Sequence, residues 1–317
     1  MTRVAAIDCG TNSVRLLIAD ISADKQVDVE RRMEIVRLGE GVDRTGMLSP
    51  AALERTFAAM RDYAERIARS GAERVRVVAT SATRDAGNRQ DFVDGVREIF
   101  GVDPEVITGA EEARLSFTGA TRGLAGHRPP YLVVDIGGGS TEFVIGDPDD
   151  LGADAPAAVS VDIGCVRLTE RWLKEAGDPP GRAAVDAVVA DIDAALDRVR
   201  AAVPVTRART LVGLAGSVTT VAGIALGLSE YDPERIHHSR ITASEVHDVT
   251  LRLLSMTREE RAAIGVMHPG RVDVIGAGAL ILDQVMRVFG FSEVVVSEHD
   301  ILDGTAMSLV GFHQTSS

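Results

Sequence analysis

The sequence predicts an α/β fold built twice, as two lobes that each open with strand, strand, strand, helix, strand, helix around a central cleft. Two observations carry that expectation. An apolar run ending in Asp, a small loop of Gly and hydroxyl residues, and a second apolar run occur over residues 5–18 and return over 133–145, so that Asp8 corresponds to Asp135 and Gly10 to Gly137. The segments after each copy then repeat the same order of strand and helix periodicities. At 317 residues the chain also exceeds what one hydrophobic core usually organises, and 45% apolar composition supplies two.

In the first copy, Ala5, Ala6 and Ile7 lead into Asp8, the loop Gly10-Thr11-Asn12-Ser13 follows, and residues 14–18 leave it as a second strand. Val27, Val29, Arg31, Met33 and Ile35 alternate as one face of a third. Ser49 before Pro50 reads as a helix start, and Leu53, Phe57, Met60, Ala64 and Ile67 recur at steps of four and three until Gly71. Residues 74–79 form a strand, and 80–85 a polar loop at its carboxyl end, where ligands of open α/β sheets gather. A helix over 88–100, a short strand at Val106 and Ile107, and a helix from Gly109 close the first half. Residues 123–130 lose periodicity and collect Gly, His and paired Pro, which places the junction there, with lobes at 1–124 and 125–299.

The second half restarts with strands at 131–135, 142–145 and 159–163. Val185, Val188, Val189, Ile192, Leu196 and Val199 mark a long amphipathic helix. Residues 210–214 form a strand closed by Ala215, Gly216 and Ser217 at the start of another helix. From about Ala243 the chain is helical apart from a strand at 293–297, and a last helix covers 300–312, with Asp300 as its cap.

A net charge of −13 argues against long-range attraction to nucleic acid or an anionic membrane, so an anionic ligand must be drawn by local basic groups. No run of 18 apolar residues occurs, and the chain enters strand-like sequence at Val4 without a signal-peptide pattern. Two cysteines, Cys9 and Cys165, are too few for a disulfide framework, and a reducing cytoplasm fits them.

The most specific signal is the run from Asp135 to Glu142: three glycines directly after a strand, bracketed by carboxylates. Glycine lets a loop turn its N–H groups into a concavity, so Gly137, Gly138, Gly139, Ser140 and Thr141 could hold phosphate oxygens while Asp135 and Glu142 hold a divalent cation. Gly10, Thr11, Asn12 and Ser13 repeat the cradle, with Asp8 as a further carboxylate. Neither loop is a Walker or dinucleotide motif. Glu111 and Glu112 lie in the first turn of a helix, where the dipole favours acids with or without function. Arg84 stands on the strand-end loop, and Gly216 and Ser217 form a third candidate loop that close packing explains equally well.

Both loops, with Val78-Ala79-Thr80-Ser81-Ala82-Thr83-Arg84 and the run from Ile107 through Glu111-Glu112-Ala113-Arg114 to Phe117, make the chain resemble the exopolyphosphatase/guanosine pentaphosphate phosphatase family over nearly its whole length. The resemblance implies the sugar kinase/actin/heat-shock chaperone superfold, with two ribonuclease-H-like lobes and a phosphate cleft. It also implies that the segment 300–314 packs back on the first lobe. By motif match, Glu112 aligns with the carboxylate that activates water and Arg84 with the phosphate-binding arginine, while 135–142 matches the phosphate and metal loop. The expected reaction is release of the terminal phosphate from linear polyphosphate with Mg²⁺ or Mn²⁺, without nucleic acid or membrane partners. Because the sequence stops near Ser317, without the helical domains of longer members, shorter chains are expected as substrates; homodimers are common in the family. Guanosine pentaphosphate is the alternative substrate. Two further readings are an ATP-dependent kinase of the same superfold, using residues 213–217 for adenosine, and a non-catalytic sensor of the same anions.

Overall fold

The computed structural model describes residues 1–22, 25–124, 126–148 and 157–310. It divides into two units, one formed by Met1–Gly119 with the chain from Ile301 onward, the other by Ala120–Asp300.

In the first unit the elements run β1 (Thr2–Cys9), β2 (Ser13–Ile21), β3 (Gln26–Ile35), α1 (Val42–Thr45), α2 (Pro50–Ser70), β4 (Arg74–Ala79), α3 (Ser81–Asp85), α4 (Arg89–Phe100), β5 (Glu105–Val106) and α5 (Gly109–Thr121), whose last two residues belong to the other unit. The sheet order is β3-β2-β1-β4-β5, with β1 antiparallel to β2 and parallel to β4. One face of the hairpin, Ala5, Ile7, Leu16 and Ile18, meets the buried side of α2 (Leu53, Met60, Tyr63, Ile67) and Phe92 and Val96 of α4. The Ser49 side chain accepts the Ala52 N–H to start α2, and Gly71, at φ 72°, ends it. That left-handed backbone is costly for any residue with a Cβ.

Two local expectations change. Residues 80–85 are not an open loop: Ser81–Asp85 winds into α3 directly after β4. The alternation expected through Val27, Val29 and Arg31 is broken, because Ala19 pairs with Asp28 and Ile18 with Glu30, leaving Val29 as a bulge. Since a one-residue insertion flips side-chain direction, Gln26 and Asp28 share a face with Arg31 while Val27 faces the other way.

In the second unit the order is β6 (Tyr131–Ile136), β7 (Thr141–Gly146), β8 (Ala157–Val161), α6 (Cys165–Leu168) running into a π-turn at Thr169–Leu173, α7 (Arg182–Ala202), β9 (Thr210–Leu214), α8 (Ala215–Ala225), α9 (Pro233–Ile236), β10 (Arg240–Thr242), α10 (Ala243–Ser255), α11 (Arg258–Ala262), α12 (Ile275–Phe289) and β11 (Glu293–Ser297). Its sheet runs β10-β11-β9-β6-β7-β8. The five strands β8-β7-β6-β9-β11 reproduce the first sheet's order, with β11 in the place of β5. The sequence reading missed β10, three residues paired antiparallel at the sheet edge, too short to show a period. Leu132, Val134, Ile136, Phe143 and Ile145 form the core with Val188, Ile192 and Leu196 of α7 and the almost wholly buried α12. The fold is therefore the doubled α/β plan read from the sequence.

The chain returns to the first unit as α13 (Ile301–Ser308). Leu302 and Ala306 close over Val4, Ala6, Leu17, Ala19 and Ile21, the second face of the β1–β2 hairpin. Asp303 is fully buried there and accepts from Arg31 Nη2 at 2.5 Å and from Gln26 Nε2 at 2.8 Å. This is the pair that the Val29 bulge turns toward it. The expected helix over 300–312 ends at Ser308, and residues 311–314 lie outside the described residues.

Candidate active site

The first loop is shaped by what its carbonyls do. Thr11 O accepts the Gly39 N–H at 2.8 Å, and Asn12 O accepts from Val36 and Arg37 at 3.0 and 2.9 Å, while Gly10 N–H closes the turn on Ser13 O. The amides of Thr11 and Asn12 have no hydrogen-bond partner among the described residues. Gly39 is required, because a Cβ there would overlap the Thr11 methyl. The Thr11 and Ser81 hydroxyls lie 3.0 Å apart, so α3 is tied to the loop. Asp8, buried, sits opposite Arg15 in the β1–β2 register and pairs with its guanidinium at 2.6 Å.

Arg84 and Glu112, far apart in sequence, meet within this unit. Arg84 Nη1 donates to Glu112 Oε2 at 3.0 Å and to Ile107 O at 3.0 Å. Glu112 is 7% exposed in the first turn of α5, and its N–H donates to Thr108 O at 2.9 Å. Glu111 instead points into an exposed network with Arg76 at 2.9 Å. The result is one sheltered carboxylate held by an arginine beside the first loop's supporting helix.

The second loop follows the same logic more strictly. Gly137 O accepts from Cys165, Gly138 O from Val166 and Arg167, and Gly139 O from Arg167 Nε at 2.7 Å. With the carbonyls committed to α6, the amides of Gly138, Gly139 and Ser140 have no partner among the described residues. Such a row of N–H groups has the form in which backbone amides can accept an anion. The close approach of α6 depends on Gly164, where a Cβ would overlap the Gly138 carbonyl. Thr141 is turned away, its hydroxyl donating to Ile163 O. Asp135 and Glu142, 7% and 1% exposed, stand directly opposite each other across β6 and β7. Directly opposed residues project on one face of a sheet with Cβ atoms about 5 Å apart.

Gly216 and Ser217 are not in a loop but in the first turn of α8, entered through Ala215 at φ 71°, a strained conformation for a non-glycine residue. A Cβ on Gly213 would crowd Val218 and Val294, and one on Gly216 would overlap the Arg271 guanidinium. The glycines are thus explained by helix packing and by Arg271, which sequence reading did not single out because it arrives from a distant turn. Ser217 packs on Gly278, next to Cys165, whose thiol pKa is pushed up by burial.

Comparison with known proteins decides the kinship. The Ppx/GppA phosphatase family pattern matches residues 17–313. The chain belongs to that family. This family member is 48% identical to Exopolyphosphatase 2 of Mycobacterium tuberculosis, over 98% of this chain and 99% of the relative. A solved exopolyphosphatase-like protein, 43% identical, superposes with a TM-score of 0.92 over 97% of each chain. The guanosine-5'-triphosphate,3'-diphosphate pyrophosphatase of Photobacterium profundum is 30% identical, over 96% of this chain and 59% of its own. Among the described residues no helix is long and apolar enough to cross a membrane.

Proposed function

We propose that this family member is an exopolyphosphatase that hydrolyses the terminal phosphoanhydride of linear inorganic polyphosphate. The observation that carries the chemistry is the buried Glu112 carboxylate held at 3.0 Å by Arg84. The near-full-length relative named Exopolyphosphatase 2 supports the substrate. Glu112 accepts a proton from water as the water oxygen bonds to the terminal phosphorus. The bridging P–O bond breaks, releasing orthophosphate and a chain one unit shorter. Phosphoryl transfer needs positioning and charge neutralisation more than a strong base, so a carboxylate suffices, and Arg84 is placed to share its charge with the phosphoryl oxygens. Within the first unit the amides of Thr11 and Asn12, and within the second those of Gly138, Gly139 and Ser140, have no partner among the described residues and can each donate to phosphate oxygens.

Asp135 and Glu142 fit a hard divalent ion, Mg²⁺ or Mn²⁺: two buried carboxylates opposite each other on one face of the sheet supply the oxygen donors such an ion takes. Mg²⁺ takes one or two carboxylates, with water and phosphate completing its shell, and two carboxylates are what this pair offers. When bound, the ion offsets phosphate charge. Asp8 is less suited, since Arg15 already neutralises it.

The Photobacterium relative makes guanosine pentaphosphate the second substrate to test. The kinase reading loses its support because Gly213 and Gly216 are accounted for by packing. Purified protein incubated with Mg²⁺ and polyphosphates of graded length should release orthophosphate faster than from guanosine pentaphosphate; the reverse ranking would replace the substrate. A cytoplasmic homodimer is part of the same proposal, and light scattering tests the assembly.

A further inference from the structure

The carboxylate pair of the second unit continues into a third strand. Register places Asp135 opposite Glu142 and Glu142 opposite Ser160, so β6, β7 and β8 carry an acid, an acid and a hydroxyl in one row on one face. The Ser160 hydroxyl donates to Glu142 Oε1 at 2.6 Å. The first unit provides an internal comparison, because the equivalent row across β1, β2 and β3 is Asp8, Arg15 and Met33. There the middle position is basic and neutralises Asp8 from within the chain, and the third strand supplies no hydroxyl. Where the middle residue is Glu, the third strand supplies one.

We propose that Ser160 is a positioning residue for the divalent cation, its hydroxyl fixing the plane and rotamer of the Glu142 carboxylate beside Asp135. This rests on the reading of Asp135 and Glu142 as the cation's carboxylates. A glutamate has three side-chain torsions, and a buried one that must present its charge to an ion gains from having one oxygen tied to a fixed donor. Outer partners of metal-binding carboxylates act in this way, and losing one typically costs roughly 10- to 100-fold in affinity. Among the described residues the Ser160 side chain makes no hydrogen bond to the glycine loop of its own unit, so its removal should act on the cation first.

The test is Mn²⁺ binding to the full chain without substrate, read from the electron paramagnetic resonance of free Mn²⁺. Ser160→Ala should weaken binding by roughly 10-fold or more, and Ser160→Thr, which keeps the hydroxyl, should restore it. In turnover the same variant should raise the Mg²⁺ concentration for half-maximal rate while leaving the rate at saturating Mg²⁺ nearly intact. Equal Mn²⁺ affinity in wild type and Ser160→Ala, with Glu142→Gln binding weakly, overturns the role of Ser160 and leaves the carboxylate reading standing. Wild-type affinity retained in Glu142→Gln, or no binding by wild type, overturns the carboxylate reading and the Ser160 role with it. If the alanine variant does not fold, Ser160→Cys, a much weaker donor of similar size, serves the same comparison.

Discussion

Two consecutive acids meet opposite fates in this chain. Glu111 faces Arg76 and solvent, whereas Glu112 is enclosed and bonded to Arg84. Helix periodicity turns successive residues by about 100°, so one residue decides which acid meets α3 and which meets the surface. Glu112→Gln should therefore lower kcat by roughly 10²- to 10⁴-fold, the range for losing a general base, while Glu111→Gln should change it little; orthophosphate release under saturating polyphosphate separates the two. The choice between them was not legible from position in the helix, because the dipole favours both equally. It followed only from the family motif, and the physical cause lies in Arg84, 28 residues away in sequence. Gly164 makes a second case at this scale. Gly164→Ala must push α6 from the glycine loop, so weaker polyphosphate binding with a raised KM is expected, and a KM equal to wild type would show that the loop tolerates the shift.

At the scale of elements, the bulge at Val29 and helix α13 explain each other. Without the extra residue, strict alternation would place Gln26 on the opposite face of the sheet from Arg31, away from Asp303. Removing Arg31 takes the cationic partner from a buried carboxylate, so Arg31→Ala should destabilise the protein by about 3 kcal/mol, toward the low end for buried pairs because Arg31 is partly exposed and Gln26 still donates to Asp303. Urea titration measures it, and a loss below about 0.5 kcal/mol would class the contact with surface pairs. Gly304 packs so closely on Leu115 that a Cβ would overlap its carbonyl. Gly304→Ala should accordingly loosen α13 and expose its amides to hydrogen exchange. The strand and helix periods were visible in sequence, but neither the bulge nor the edge strand β10 was. A bulge leaves composition unchanged, and a three-residue strand has no period to read.

At the scale of whole units, the second carries a cluster of histidines. The rings of His237 and His238 stack at 3.7 Å and those of His237 and His299 lie 4.6 Å apart, while His127 Nδ1 is 3.4 Å from Arg240. Burial lowers the pKa of His238, with His299 and His127 adding repulsion, and burial and Arg240 lower that of His127 against a smaller opposing effect of Glu293. His237 Nδ1 accepts the Glu298 N–H. Because the folded state holds His238 and His127 below their ordinary pKa of 6.5, the unfolded chain binds more protons as pH falls beneath that value. Their contribution to stability is thus present above about pH 6.5 and is lost as pH falls through the folded pKa values. Thermal melts from pH 7.5 to 5 should show a falling Tm, with a shallower slope in His238→Gln; equal slopes would remove the cluster as the cause.

The sequence by itself determined the doubled plan, the two glycine loops and the acidic residues around them, because repeated strand–loop–strand patterns and glycine runs are local and follow from chain geometry. Tertiary structure decided which of those groups meet. Arg84 reaches Glu112, Arg15 neutralises Asp8, Ser160 lines up with Glu142, and Arg271 covers Gly216. Each of these contacts depends on strand register or on helices brought together over long stretches of chain, and register shifted by a single residue would send every side chain to the other face.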